Sequence, residues 1–219
     1  MGRRFRDRVD AGLALASLLS EYADRPETLV LALPRGGVPV AYEIAIALGA
    51  PLEIFVVRKL GVPGQEELAM GAIATGDVRV LNEEVVRTLR IPTHVVDAVT
   101  AEETRELHRR ETLYRGDRPP HGVRGRTVIV VDDGLATGAT MRAAVAAVRH
   151  QQPARLIVAV PTAAASTCDE FRAEVDDVVC AMTPEPFYAV GLWYDDFSQT
   201  TDEEVHELLQ RASARALPS

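Results

Sequence analysis

Two adjacent carboxylates, Asp132 and Asp133, are the side chains of this sequence best placed for chemistry. They follow four apolar β-branched residues, 128–131, which predict a strand buried on both faces of a parallel sheet. The carboxyl end of such a strand is the edge at which open α/β sheets bind ligands. The acid pair would repel a phosphate, so it suits neutral hydroxyls, such as a ribose diol, or a magnesium ion.

The turn after the acid pair has the composition of an anion site. Residues 134–140 are mostly small or carry hydroxyls, and residues 141–149 are rich in helix formers. The unpaired N–H groups and the dipole at the start of a helix favour a phosphate. Gly138 allows a close backbone approach, and Thr137 and Thr140 can donate hydroxyl hydrogen bonds. A buried strand before a Thr-capped helix explains the turn equally well, but it leaves the two acids unexplained.

Residues 130–140, Val-Val-Asp-Asp-Gly-Leu-Ala-Thr-Gly-Ala-Thr, resemble the phosphoribosyl pyrophosphate (PRPP) motif of type I phosphoribosyltransferases. The resemblance implies transfer of the phosphoribosyl group to a nitrogenous acceptor, with release of pyrophosphate. It implies that Asp132 and Asp133 hold the ribose hydroxyls and act in catalysis. Mg²⁺ is the implied cofactor; we expect PRPP to carry it, with no direct protein ligand, although either acid can reach it through water. The implied 5′-phosphate loop consists of Leu135, Ala136, Thr137, Gly138, Ala139 and Thr140.

A first glycine loop follows an earlier apolar strand, residues 28–33. Gly36 and Gly37 allow N–H groups to crowd around an anion, and Arg35 adds a charged fork for phosphate oxygens. In the resembled family this is the pyrophosphate loop, so Arg35, Gly36 and Gly37 become PRPP-binding candidates. The family often has a cis peptide here, which would be the Pro34–Arg35 bond. Taken alone, a plain tight turn is an equal alternative, and the second phosphate-type loop favours function.

Two cations, Arg58 and Lys59, follow a predicted strand over residues 52–57 and precede a Gly/Pro loop that ends at Gly64. This arrangement suits a polyphosphate clamp with a mobile lid. It also resembles the start of the flexible loop of adenine phosphoribosyltransferases, which makes Arg58 and Lys59 catalytic candidates. Residues 66–74 and 78–81 predict a hairpin within an arm of about residues 58–81. The alternative is that both cations only begin a solvated loop.

Aromatic residues are concentrated in residues 183–200, although the chain contains only 5% of them. The resemblance identifies this region as the hood that stacks and reads the acceptor base. A small hydrophobic core is the competing interpretation, and the acids could equally face solvent. The acceptor-binding candidates are Trp193, Tyr194, Asp195 and Asp196.

Ala136 bears on the identity of the acceptor. In the enzymes that use 6-oxopurines, the motif has a third acid at this place, which helps to manage the purine proton. Alanine can do no proton chemistry, so the resemblance favours an amino-bearing heterocycle or another amine. A PRPP- or nucleotide-sensing regulator of the same fold, without turnover, is the alternative function.

Composition sets wider bounds on the class of protein. The chain has 219 residues, 47% of them hydrophobic, a net charge of −8 and a pI near 5.2. These values argue against nucleic-acid and anionic-membrane partners, and no apolar run is long enough to span a bilayer. Asp7 and Asp10 interrupt a leader-like N-terminus, so we expect a mature cytoplasmic protein. Cys168 and Cys180 lack metal spacing and indicate no disulfide framework, so we expect unpaired thiols.

The elements that must position these residues predict an α/β fold. We expect a twisted, mostly parallel sheet flanked by helices, the type I phosphoribosyltransferase fold, as a single domain over residues 1–219 with the arm and the hood attached. Leu15, Leu18, Leu19 and Tyr22 predict an amphipathic N-terminal helix packed on that domain. A long charged helix is predicted over residues 92–115. We keep a homodimer open as the oligomeric state.

Overall fold

The strands that the structure describes form two separate sheets. The computed structural model describes residues 4–116, 118 and 120–216. The central sheet is parallel throughout, in the order β2-β1-β6-β7-β8, and a second antiparallel sheet has the order β3-β4-β5. The strands are β1 Thr28–Ala32, β2 Leu52–Ile54, β3 Val57–Val62, β4 Gln65–Ala74, β5 Val78–Leu81, β6 Thr127–Val131, β7 Arg155–Thr162 and β8 Asp177–Met182.

The helices cover both faces of the central sheet. They are α1 Arg8–Leu18, α2 Gly37–Leu48, α3 Glu83–Thr88, α4 Thr93–Arg115, α5 Ala139–His150, α6 Ala165–Arg172 and α7 Asp202–Ala216. Side-chain caps satisfy backbone N–H groups at the starts of α3 and α7. Asn82 accepts a hydrogen bond from Val85 N of α3, and Thr201 accepts one from Glu204 N of α7.

Successive residues of the inner strands enter two different cores. In β1, Leu29 and Leu31 pack with α5 and α6, whereas Val30 packs with α1, α2 and α7 on the opposite face. Every residue of β1 and β6 is buried. The predicted α/β architecture and its doubly covered, mostly parallel sheet are therefore confirmed.

The predicted strand over residues 52–57 is wrong, because the chain changes sheets within it. Phe55 N still donates to Ala32 O of β1 at 2.9 Å, but Val56 N donates to the hydroxyl of Thr75 at 2.9 Å. From Val57 onward the backbone pairs with β4, so that Arg58 lies opposite Ile73. Arg58 and the residue after it are therefore strand residues of the arm, not the first residues of a loop.

The N-terminal segment is joined to the hood by backbone hydrogen bonds. Phe5 N donates to Trp193 O at 2.9 Å, Asp195 N donates to Phe5 O at 2.8 Å and Asp196 N to Arg6 O at 2.9 Å. Three of the four predicted apolar positions are buried: Leu15 in α1, Leu19 at its C-terminal cap and Tyr22 in the short 3-10 helix Ser20–Tyr22 that follows, so the predicted helix ends earlier than its apolar pattern. Leu18 is the exception, since it is 54% exposed.

The expectation of unpaired thiols is also wrong. Cys168 of α6 and Cys180 of β8 form a disulfide. Their separation of 12 residues matches no sequence signature, and the two meet because α6 packs beside β8. No helix in the described part of the chain is both long and apolar enough to cross a membrane.

Candidate active site

The acid pair and the first glycine loop meet at the point where the strand order reverses. From β1 the chain proceeds to β2 on one side, whereas from β6 it proceeds to β7 and β8 on the other. The ends of β1 and β6 stay together, because Leu33 N donates to Val131 O at 2.9 Å. Such a switch point leaves a crevice outside the carboxyl ends of the strands, where open α/β sheets bind their ligands.

Glycine is required where these two loops touch. A Cβ on Gly37 would lie 2.7 Å from Val131 O and 2.9 Å from the Cα of Asp132. A Cβ on Gly36 would collide with Oδ2 of Asp133. The Pro34–Arg35 peptide bond is cis, as the resemblance predicts.

The two carboxylates of the pair have different surroundings. Asp132 is half-buried, and its Oδ1 accepts a hydrogen bond from Asp133 N at 2.8 Å. Burial raises the pKa of Asp132 well above its usual range, and the negative charge of Asp133 adds to that effect. Burial also raises the pKa of Asp133, against the opposing effect of a guanidinium.

That guanidinium belongs to Arg8, a residue that the sequence did not indicate. Arg8 Nε and Nη2 donate to Asp133 Oδ2 at 3.0 and 2.8 Å, and Nη1 donates to Ser198 O at 2.6 Å. The guanidinium also lies 4.1 Å from the ring centroid of Phe197. Arg8 and Asp133 are 125 residues apart, and no motif links them.

The predicted phosphate loop surrounds a cavity of about 200 Å³ next to Asp132. Gly138 has a φ of 70°, a conformation that favours glycine, and α5 begins at the next residue. The first N–H groups of this helix lack partners within it. Leu135 also borders this cavity, but its side chain is buried in the core and its N–H donates to Thr162 O at 2.9 Å. The exposed residues of the loop are Ala136, Thr137, Ala139 and Thr140.

Comparison with known proteins agrees with this geometry. A family model described as the phosphoribosyl transferase domain matches residues 6–187. The chain belongs to this family. A Mycobacterium tuberculosis protein with a provisional phosphoribosyl transferase name is 46% identical over 208 residues, which are 95% of this chain and 47% of that protein. The chain thus spans about half the length of that relative.

A solved structure shows the same fold. The crystal structure of TT1426 from Thermus thermophilus is 40% identical, with a TM-score of 0.85, and the match covers 95% of this chain and 98% of that one. The type I phosphoribosyltransferase fold predicted from the sequence is therefore confirmed.

Two of the three predicted phosphate-binding cations of this member of the phosphoribosyl transferase domain family are paired with acids. Arg35 Nη1 lies 3.7 Å from Asp202 Oδ1 at the start of α7. Arg58 Nε and Nη2 lie 2.7 and 2.6 Å from Glu103 Oε2 of α4. Each arginine would have to leave its acid to contact a phosphate.

Lys59, the third cation, is exposed on β3, and no described residue makes a hydrogen bond or ion pair with its ammonium group. It is also the only lysine among the 24 lysines and arginines of the chain. Its side chain is therefore free to approach a ligand.

The four predicted acceptor-binding residues do not form one cluster. The Tyr194 ring is buried against Phe5 and Phe197, and its hydroxyl donates to Asp133 O at 2.6 Å. Tyr194 therefore anchors the hood, as the competing interpretation of a small hydrophobic core predicts. Trp193 is half-buried, and its Nε1 is buried without a hydrogen-bond partner among the described residues.

The two hood acids face solvent. Asp195 and Asp196 are exposed, and Asp196 accepts a hydrogen bond from Ser198 N at 2.9 Å, which lowers the pKa of its carboxyl. Within the described ranges there is no group of three or more His, Cys, Asp or Glu side chains that could hold a metal ion.

Proposed function

We propose that this chain transfers the 5-phosphoribosyl group of PRPP to a nitrogenous acceptor and releases pyrophosphate. One observation carries the proposal. The acid pair lies between the two loops at the switch point: Gly36 and Gly37 lie directly against Asp133 and Asp132, and Asp132 also lines the cavity of the loop around Gly138. Each of the three suits a different part of PRPP, and membership of the family supports the same interpretation.

The three parts divide the substrate among them. Asp132 and Asp133 would accept hydrogen bonds from the ribose hydroxyls, because carboxylates are acceptors only and repel phosphate. The loop around Thr137 and Thr140 would bind the 5′-phosphate through N–H groups and hydroxyls. Gly36 and Gly37 would let the pyrophosphate lie against the backbone N–H groups of their loop. Fixing both ends of PRPP would hold C1′ at a set position for the acceptor.

The acid pair fits a magnesium ion. Mg²⁺ prefers carboxylate oxygens and keeps several of its waters, and Asp132 is a carboxylate whose only described hydrogen bond is to the N–H of its neighbour. Asp132 or Asp133 would hold the ion, through water, with the remaining ligands coming from PRPP. When bound, the ion would neutralise negative charge on the pyrophosphate.

Cations of the chain would stabilise the leaving pyrophosphate as the bond to C1′ breaks ahead of attack. Lys59 is available for this role as it stands. Arg58 and Arg35 would join it only after exchanging Glu103 and Asp202 for phosphate oxygens. Arg58 and Lys59 therefore remain our catalytic candidates together with the acid pair.

For the acceptor we propose an amino-bearing heterocycle or another amine. Ala136 is exposed in the phosphate-loop cavity, where it can manage no proton. In the hood, Trp193 could stack a flat base, and Asp195 or Asp196 could accept from an exocyclic amine. Tyr194 would not contact the base, since its ring is buried, and would instead stabilise the hood that carries the other three residues.

The test is release of pyrophosphate from Mg-PRPP with a panel of bases and amines. We expect adenine or another amino heterocycle to be turned over, and hypoxanthine and guanine to be poor acceptors. Asp133→Asn and EDTA serve as controls that should abolish the signal. Efficient use of hypoxanthine or guanine with the amino compounds inert would contradict the proposed acceptor class.

A PRPP- or nucleotide-sensing regulator is the second candidate, and one observation favours it. Both Arg35 and Arg58 are neutralised by acids, which leaves Lys59, in the part of the chain that the structure describes, as the one unpaired cation among the three candidates. Binding of Mg-PRPP by calorimetry, without pyrophosphate release for any acceptor in the panel, would select the regulator.

A further inference from the structure

Asp133 is held far more firmly than Asp132. Its side chain receives two hydrogen bonds from Arg8, and its carbonyl oxygen receives one from the hydroxyl of Tyr194. Asp132, by contrast, accepts only the N–H of Asp133 among the described residues. One member of the acid pair is therefore fixed by α1 and the hood together, and the other is not.

Arg8 uses one oxygen of the carboxylate and leaves the second. Both of its hydrogen bonds to the pair end on Oδ2 of Asp133, and no side chain in the described part of the chain donates a hydrogen bond to Oδ1. A planar guanidinium forms such contacts in a fixed geometry. The side chains of Arg8 and Asp133 are mostly buried, with 12% and 16% exposed.

The third nitrogen of Arg8 extends the contact to the hood. Nη1 donates to Ser198 O, and the guanidinium lies against the ring of Phe197. The proposed pyrophosphate loop touches the same pair, since a Cβ on Gly36 would meet Asp133 Oδ2 and lie 3.4 Å from Arg8 Nε. Arg8 thus touches the ribose site and the hood, and it lies directly against the glycine loop.

We propose that Arg8 is a positioning residue, which fixes Asp133 so that Oδ1 is offered to a ribose hydroxyl and which ties the hood to the acid pair. The inference rests on the proposed function for the identity of the ligand. The link that Arg8 makes between Asp133 and the hood is independent of the proposed function, because its contacts are present in the protein without a ligand.

The charged and titratable groups that face Asp133 come from three elements. They are Arg8 of α1, Tyr194 of the hood and the neighbouring Asp132. Arg8 is the single cation of this set, so its loss leaves two adjacent acids without a counter-charge. Removing it should therefore free the Asp133 side chain, so that Oδ1 is no longer held toward a ribose hydroxyl, and increase the repulsion between the two acids and the phosphates of PRPP.

A double-mutant cycle tests the inference, with Mg-PRPP binding measured by calorimetry. We expect Arg8→Ala to weaken binding by about tenfold or more, as for loss of a charged hydrogen bond. In the Asp133→Asn background the same change should matter by less than about twofold, because Arg8 acts through Asp133. Arg8→Lys, which keeps the charge but not the fork, should recover part of the loss.

Arg6→Ala is the matched control. Arg6 also pairs with an aspartate, Asp10, but its side chain is 76% exposed and makes no hydrogen bond to the acid pair among the described residues. It should bind Mg-PRPP as the wild type does. Three outcomes would overturn the inference: tighter binding by Arg8→Ala, additive effects in the cycle, or an equal loss in Arg6→Ala. If Arg8→Ala does not fold, the cycle with Arg8→Lys decides in the same way.

A second readout needs no ligand and separates this inference from the proposed function. Trp193, the only tryptophan of the chain, lies in the hood and reports on its packing. Acrylamide should quench Trp193 more strongly in Arg8→Ala and in Asp133→Asn, and no more strongly in the double variant. Failure of the wild type to bind PRPP would reject the proposed function alone, whereas unchanged quenching in both single variants would reject the link made by Arg8.

Discussion

At the scale of single residues, Asp132 lowers the stability of the protein when no ligand is bound. Its carboxyl is half-buried beside a second acid, and both conditions disfavour its charged form. A bound ribose hydroxyl or cation would interact with the charged Asp132 carboxylate and so offset the unfavourable effect of its burial. Residues suited to ligands are often suboptimal for stability.

The first prediction follows from the sign of that pKa shift. The folded state keeps the Asp132 proton to higher pH than the unfolded chain, so the free energy of unfolding should fall as the pH rises above the usual range of an aspartate. Asp132→Asn removes this term. We expect the variant to be more stable than the wild type by roughly 0.5–2 kcal/mol at pH 8, and by less at pH 4, while it binds Mg-PRPP more weakly.

Urea denaturation at both pH values measures the difference. Asp195→Asn is the control, because Asp195 is exposed in the hood and its loss should change stability by less than about 0.5 kcal/mol. An Asp132→Asn variant that is less stable than the wild type at pH 8 would contradict the argument.

The second prediction concerns Lys59. Because charge on the pyrophosphate grows as the bond to C1′ breaks, Lys59→Ala should lower kcat more than it raises the KM for PRPP. Steady-state kinetics with Mg-PRPP measures both. Arg79→Ala is the matched control, since Arg79 is a cation of the same arm and pairs with Asp97. A change in KM alone would make Lys59 a binding residue without a catalytic role.

At the scale of elements, the first residue of α7 contacts both the end of α4 and the first glycine loop. Asp202 Oδ1 accepts a hydrogen bond from Tyr114 OH at 2.7 Å and lies 3.7 Å from Arg35 Nη1. Burial, and next the hydrogen bond to Asp202, raise the pKa of Tyr114 to about 12. Asp202 thus contacts both Arg35, which we propose binds phosphate, and the buried phenol of Tyr114.

The third prediction uses the raised pKa of Tyr114. The unfolded chain loses the phenol proton near pH 10, as an ordinary tyrosine does, while the folded chain keeps it until about pH 12. The contribution of Tyr114 to stability is therefore complete below pH 10 and lost as the pH rises to about 12. In Tyr114→Phe, unfolding by base should show a shallower fall of stability over this range.

The matched control for that experiment is Tyr188→Phe, because Tyr188 is 79% exposed. Its removal should leave the pH dependence of the unfolding free energy unchanged. Equal pH profiles for the wild type and Tyr114→Phe would show that the Tyr114 phenol does not titrate as proposed.

The fourth prediction concerns the disulfide between α6 and β8. Removing a disulfide typically costs about 2–4 kcal/mol, so Cys180→Ser should lower the free energy of unfolding by that amount in oxidising buffer. With a reductant present, the wild type should approach the variant. α6 also carries Phe171, which packs against Gly138 of the phosphate loop, so we expect the loop to be less protected from hydrogen exchange in the variant. A wild type whose unfolding is insensitive to reductant would contradict the pairing.

At the scale of the whole molecule, the parts of the site that the sequence predicted are all local in the chain. A strand, a loop and the start of a helix follow one another in both ligand loops, and their residue types define them without reference to the rest of the fold. This is why the buried strand before the acid pair and the helix that starts at the end of the predicted phosphate loop could be predicted from the residues, whereas the cis Pro34–Arg35 bond was implied by the resemblance. Leu135 shows the limit of a motif, since it belongs to the pattern but lies in the core.

The features that the sequence did not predict depend on contacts between distant segments. Arg8 reaches Asp133 only because α1 and the hood pack together, and Cys168 meets Cys180 only because α6 lies beside β8. The break after Ile54 is hidden because Phe55 and Val56 are as apolar as the strand before them and differ only in their backbone partners. Periodicity gives the type of an element and not the neighbour with which it pairs.

The solitary lysine of the arm has a practical consequence. An amine-reactive dye can attach to one side chain only, Lys59, and the α-amino group can be blocked beforehand at lower pH. The dye can then act as the acceptor of energy transfer from the lone indole of the hood. The unmodified sequence therefore supplies a donor and an acceptor for measuring the distance between arm and hood in the ligand-free protein, because a dye on Lys59 removes the ammonium group that we propose contacts pyrophosphate.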